Sequence, residues 1–314
     1  MVDIDTFLIT LYVRVDDFCK LHPLSFEETN VWPCGRHAAL SRSEVLTLAL
    51  FGQWYRFRSE RDFYRFAQQR LRHLFPKLPD RSQFVRAQAR YARSLHAFAL
   101  HLPQLLAAPA APYEVIDRVG LATRTCGRRG REWLAGIADK GLCGRLGFFW
   151  GLHMLDATTP EGVITGFALS CASRKDQPMA QQFFALRNWP DPDLPSIGVH
   201  GQSRTYAFDK GFSGPHLHRL WEAAFTIAVV GAAQAGHGPA WPREQLRWLA
   251  SLRQIIETVH EKLLNFFRLA TERPHSLRGL FVRLSAKVGL HNFCIWLNRQ
   301  LERPNLAFAT LLGW

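Results

Sequence analysis

The chain has 314 residues, 47% of them hydrophobic, and its 39 Lys+Arg against 26 Asp+Glu give a formal charge of +13. That length and apolar content exclude a mainly disordered protein and suffice for one small and one larger domain. The positive balance points to a polyanionic partner, of which nucleic acid is the commonest.

The opening MVDIDTFLITLYVRVDDF carries acids at once and lacks the basic-then-apolar order of a signal peptide. The longest apolar run, Ala223 to Ala235, is too short to span a bilayer. A cytosolic, nucleoid-associated protein with no membrane partner is the expectation. The six cysteines (Cys19, Cys34, Cys126, Cys143, Cys171, Cys294) form no C-x-x-C pair, which argues against a zinc knuckle and against a disulfide framework.

Residues 1–106 read as a compact helical, DNA-binding domain. Ser41-x-x-Glu44 is a capping-box pattern ahead of Val45, Leu48, Ala49 and Leu50, and Ser59-x-x-Asp62 opens a second helix with Phe63, Phe66, Ala67 and Leu71 at helical spacing. A third helix is expected from Asp80. Its stripe is Phe84, Tyr91, Leu95, Phe98 and Leu102, and Arg86, Arg90 and Arg93 fall on the opposite side at 100° per residue. An arginine face of that kind can dock on a phosphate backbone; an ordinary solvated basic face is the competing reading. From Arg56 to Arg93 eleven basic residues face three acids, Glu60, Asp62 and Asp80.

LAAPAAPYE (106–114) is the linker, its prolines unable to sit inside a helix. Strand patterns follow. Tyr113 to Thr123 alternates around Asp117; Gly147–Leu155 and Gly162–Ser173 read as a hairpin about the turn ATTPEG. Asp176 caps a helical stretch, TYAFD ends a short buried strand at Asp209, and AAFTIAVVGA is a further strand. From Arg243 the chain is helical almost to its end. Strand, hairpin, helix, strand, helix, strand, helix is the order of an α/β layer fold, a mixed sheet flanked by helices.

Three carboxylates stand out: Asp117 after Val115-Ile116, Asp209 after Tyr206-Ala207-Phe208, and Glu257 in a helix whose buried side is Leu252, Ile255, Ile256, Val259, Leu263 and Phe266. If both aspartates close adjacent strands, they meet at the sheet rim, where like charges repel unless a cation lies between them. Oxygen-only ligands suit Mg²⁺ or Mn²⁺, and two such ions about 4 Å apart can drive in-line phosphoryl transfer. Taken alone, Arg253 and Glu257 make an ordinary i,i+4 salt bridge. Asp156 and Asp176 are weaker candidates in turn and cap contexts. His153, His200, His216, His218 and His260 pair with no second ligand, and Trp221 reads as a packing residue before a base-stacking one.

VID at 115–117, YAFDKGF at 206–212 and RQIIETV at 253–259, in that order and spacing, resemble the DDE transposases of bacterial insertion sequences. The basic stretch 272–298 resembles the helical tail that follows their glutamate, and LSRSEVLTLALFGQW with FPKLPDRSQF resembles their opening helical domain. The resemblance implies an RNase H-like catalytic domain over 113–314 with a basic helical C-terminal tail. It implies a catalytic and metal-binding triad at Asp117, Asp209 and Glu257, and two Mg²⁺ (or Mn²⁺) ions. Its activity would be cleavage at terminal inverted repeats and joining of 3′ ends to target DNA, by a homodimer or higher oligomer on double-stranded DNA.

Phosphate contacts are expected from Lys210, Arg253, and the basic loop with Arg124, Arg128 and Arg129. The family's Tyr and Lys positions around the glutamate are here Ala250 and Leu264, so Arg268 is the expected substitute. A DNA nuclease of the same core and an inactive, DNA-binding transposase relic are the alternatives.

Overall fold

The computed structural model describes residues 1–24, 28, 38–124, 134, 136–188, 204–212, 214–232 and 241–314. In chain order the described elements are α1 (Ile4–Leu21), α2 (Arg42–Phe51), α3 (Glu60–Arg70), α4 (Arg81–Arg90), α5 (Ala92–Leu105), β1 (Glu114–Arg124), β2 (Asp139–Cys143), β3 (Gly147–Thr158), β4 (Ile164–Cys171), α6 (Asp176–Asn188), β5 (Thr205–Phe208), α7 (Pro215–Phe225), β6 (Ala228–Val230), α8 (Arg243–Glu261) and α9 (Leu277–Gln300). They divide into two compact units: Met1–Leu102 with Asn265–Leu269 and Leu277–Trp314, and Pro103–Leu264 with Ala270–Ser276.

The first unit is all helical, and its helix starts follow local chemistry. Ser41 accepts from the Glu44 N–H at 3.2 Å while Glu44 Oε2 accepts from the Ser41 N–H at 2.6 Å, a complete capping box at α2. Ser59 caps α3 through the Asp62 N–H at 3.1 Å. The single helix expected from Asp80 is two, because the backbone leaves the helical region at Tyr91, the C-cap of α4. Its stripe is buried all the same, from Phe84 to Leu102.

The division after Leu102 puts α9 with the first unit, where it packs as a buried helix. Leu280, Leu284, Val288, Phe293 and Ile295 are buried around its circumference. A helix apolar all round belongs in a core. Even Lys287 is buried there, donating to Gln53 Oε1 at 2.8 Å and the Phe267 carbonyl at 2.7 Å.

The second unit is mixed α/β. The sheet runs β2-β3-β1-β5-β6, with β4 also on β3. β3 pairs antiparallel with β1 along one edge; its other edge takes β2 over its first half and β4 over its second. β1 pairs parallel with β5, and β5 with β6. Strand alternation sends Ile116, Leu155, Ala157 and Phe208 to one face, against Phe183 and Phe184 of α6 and Trp221 and Phe225 of α7. Val115 and Ala207 face the other way, against Leu249 and Ile256 of α8.

The hairpin is as expected, but β2 is an additional strand. Residues 223–225, expected in a strand, close α7, and β6 begins only at Ala228 after Thr226 takes a positive φ of 53°. No helix among the described residues is long and apolar enough to cross a membrane.

Candidate functional site: a carboxylate row beneath one helix

The parallel register of β1 and β5 ends with Ile116 opposite Phe208, so the next residues along the two chains are Asp117, within β1, and Asp209, just past the end of β5. Asp117, expected at a strand end, lies well within β1. It is the fourth residue of β1 and becomes accessible because β5 stops beside it. On its other side Asp117 lies directly opposite Asp156 of β3. Paired residues point to the same face. Asp156 and Asp117 therefore stand side by side on β3 and β1, and Asp209 continues the row just past the end of β5.

α8 covers the row. Arg253 places Nη2 3.5 Å from Asp117 Oδ2 and Nη1 3.5 Å from Asp209 Oδ1, bridging the two aspartates through one guanidinium. It pairs with them rather than with Glu257, so the ordinary i,i+4 salt bridge is not what forms. His260 Nε2 meets Asp156 Oδ1 at 2.6 Å, and Thr158 Oγ1 donates to Asp156 Oδ2 at 3.2 Å. Arg253, Glu257 and His260 fall within a narrow sector of the helix because four and seven residues each close on whole turns.

Accessibility separates the acids. The side chain of Asp156 is 0% exposed, that of Asp117 20% and that of Asp209 48%. Burial pushes the Asp117 carboxyl above the usual carboxylate range and Asp156 adds to the rise, while His260, the Arg118 N–H and Arg253 oppose it. Burial disfavours the imidazolium of His260, but Asp156, Asp117 and Glu257 outweigh it and hold this histidine above its ordinary value.

Beside the row, on the opposite face, Arg118 Nε pairs with Asp176 Oδ1 at 2.5 Å and Nη1 lies 3.1 Å from His153 Nδ1. Burial raises the Asp176 carboxyl, with Asp209 contributing and Arg118 opposing. Asp176 is thus the first residue of α6 and also the partner of the residue following Asp117.

No family model and no curated protein matches the chain. What the site can do must come from its own residues. Asp117 and Asp209 already converge on one positive group and offer only oxygen donors, which fits a divalent cation. Mg²⁺ commonly takes one or two protein carboxylates and completes its shell with water and phosphate oxygens. Among the described residues no three of His, Cys, Asp and Glu are grouped so as to cage a metal. Glu257 is exposed on α8 and is not gathered with the two aspartates into such a group.

The remaining expected contacts divide. Arg128 and Arg129 lie outside the described residues, as do the side chains of Arg124 and Lys210. Arg86 is exposed on α4, whereas Arg90 and Arg93 are half-buried, and Arg90 Nε donates to the Glu28 carbonyl at 2.8 Å. Arg86 and Arg93 fall on different helices, so the three do not form one arginine face. Arg268 lies beyond α8: a π turn spans Lys262–Phe266 and Arg268 takes a φ of 59°, so helical phase does not connect it to Glu257.

Trp221 is 1% exposed among Phe184, Phe208 and His218, which makes it a packing residue. Sequence reasoning placed Asp156 in a turn and gave His260 no partner, whereas the structure puts Asp156 inside β3 and bonds the two. The signal for Asp156 was the unbroken strand pattern GFFWGLHMLDAT, which carries the aspartate inside the strand and not into the turn.

Proposed function

We propose that the chain is a DDE-type DNA transposase whose α/β unit is an RNase H-like core. The observation that carries this reading is the Asp117–Asp209 pair, one within β1 and the other just past the end of the parallel β5, sharing one cationic partner. The fold supports it: the sheet is antiparallel from β2 and β4 through β3 to β1, parallel from β1 through β5 to β6, and packed by α6 and α7 on one face and α8 on the other, the mixed sheet flanked by helices that such a core implies.

Asp117 and Asp209 would hold Mg²⁺ or Mn²⁺, with Glu257 on the covering helix as the family's third acid. The metal, when bound, supplies activation of an attacking water or 3′-hydroxyl and stabilises the leaving oxygen. Arg253 neutralises the two carboxylates, and its planar fork is also suited to a phosphodiester oxygen pair. Desolvated Asp117 gains more from a cation than an exposed carboxylate does. The positive chain, with Arg86 exposed on the helical unit, suits double-stranded DNA at terminal inverted repeats and at the target. A homodimer or larger assembly on DNA would bring two ends together.

Purified protein with a DNA end carrying the inverted repeat should cleave in Mg²⁺ or Mn²⁺ and join the 3′ end to target. Asp117→Ala and Asp209→Ala should abolish both steps while gel-shift affinity for the end is kept. Full transposition by Asp209→Ala would sink the assignment. The exposed, ungathered Glu257 specifically favours a second reading, a DNA-binding relic without cleavage. End binding with no product in either metal would select it.

A further inference from the structure

The transposase reading leaves the buried Asp156–His260 pair unused. Asp156 sits inside β3 with its side chain fully enclosed, and the side chain of His260 is only 10% exposed. Packing alone does not account for them. A buried ion pair is often no more stable than apolar residues of the same volume, so its presence gives stability little reason to keep it. What the pair does have is direction. The His260 imidazole bonds Asp156 at 2.6 Å, and Thr158 Oγ1 occupies the other carboxylate oxygen.

The geometry of the row shows what that direction serves. Arg253 to His260 is a rise of about 10 Å along α8 at 1.5 Å per residue. Three adjacent strands spaced at about 4.8 Å set the row from Asp156 to Asp209 about 10 Å across. One end of this helix span is tied to the Asp117–Asp209 pair and the other to Asp156. Glu257 lies between the two ties. A rotation of α8 by one residue, 100°, would break both ties and turn Glu257 away.

We infer that Asp156 and His260 are a positioning pair that fixes the rotation and axial register of α8 over the carboxylate row, so that Arg253 is held on Asp117 and Asp209 and Glu257 keeps its place on the helix between the two ties. This deepens the proposed function and rests on it for its catalytic consequence, though not for the positioning itself.

The test uses full-length His260→Ala, His260→Gln and the apolar double variant Asp156→Leu/His260→Leu. On inverted-repeat DNA, His260→Ala should lower kcat at least about tenfold with KM within about threefold, the split expected when transition-state placement and not binding is lost. His260→Gln keeps an N–H for Asp156 and should recover most of kcat. The double variant should match wild-type Tm yet stay slow. Wild-type kcat in the double variant would overturn the inference, as would an Ala defect that merely tracks Tm and that Gln does not relieve.

A double-mutant cycle between Arg253 and Asp209 in urea unfolding needs no activity. Their coupling should be measurable in wild type and lost in the His260→Ala background. Coupling unchanged there would overturn the positioning role even if the protein cleaves. Coupling lost in a protein that cleaves nothing would instead fail the transposase reading and leave the positioning pair standing.

Discussion

Glu114→Ala tests the electrostatics of the α/β core. The Arg187 side chain is 0% exposed and Glu114 3%, and Arg187 Nη1 donates to Glu114 Oε2 at 2.7 Å and to the Tyr206 hydroxyl at 2.9 Å, with Nη2 on Thr165 Oγ1 at 2.8 Å. Thr165 in turn donates to the other oxygen of Glu114. The cluster ties α6 to β1, β4 and β5 on the face opposite α8. Removing the carboxylate leaves a guanidinium in the core with only neutral acceptors, an uncompensated buried charge that costs about 3–5 kcal/mol. Domains are stable by only about 5–15 kcal/mol, so this is a large share of the whole.

Glu114→Gln keeps an acceptor but no charge and should cost about 1.5–3 kcal/mol, the worth of a charged hydrogen bond. Glu114→Leu/Arg187→Met, which removes both charges, should recover most of the loss. Urea unfolding followed by far-UV circular dichroism reads all three. A cost below about 1 kcal/mol for Glu114→Ala, or a double variant no more stable than that single one, would refute the claim that Arg187 is left as a stranded charge.

Further outcomes follow from single positions. A Cβ at Gly151 would overlap the Leu121 carbonyl oxygen across the β1–β3 ladder, so Gly151→Ala should lose about 1–3 kcal/mol or more, read as a drop in urea midpoint. Ser41→Ala removes the capping box of α2 and should cost about 1 kcal/mol by the same measurement. His153 is buried beside Arg118, and burial with that neighbour pushes its pKa down to about 4 from 6.5. The unfolded state then binds a proton that the folded state refuses, so stability should fall as pH drops from about 6.5 to about 4. His153→Phe should flatten that part of the stability–pH curve; an unchanged slope would remove His153 as its source.

Much of this architecture was legible because its causes are local. Ser41 with Glu44 and Ser59 with Asp62 satisfy the first N–H groups of their own helices within one turn, whatever packs around them. The alternation from Val115 to Thr123 and the β-rich runs on either side of ATTPEG announce strands in the same way. Where the reading failed, the deciding partner was distant. DKGLC is a strand because it pairs with Gly147–Gly151, and five residues with a central glycine carry little strand signal of their own. The basic stretch 272–298 resembles a family's helical tail, yet the apolar residues on every side of α9 make it a core helix. Its Arg278 and Lys287 spend their donors on the Ala89 and Phe267 carbonyls.

The site divides along the same line. By itself the sequence determined that Asp117 and Asp209 each follow a short apolar run, and that Arg253, Glu257 and His260 share one helix face, since strand and helix periods are properties of the local backbone. Only the tertiary structure decided that the row is Asp156, Asp117 and Asp209. It also decided that Arg253 spans two of them and that His260 closes on the third. Those facts depend on which strands pair, in what register, and where β5 stops. These placements arise from contacts between residues far apart in the chain, as Asp117 and Arg253 at 136 positions, and no local period encodes them.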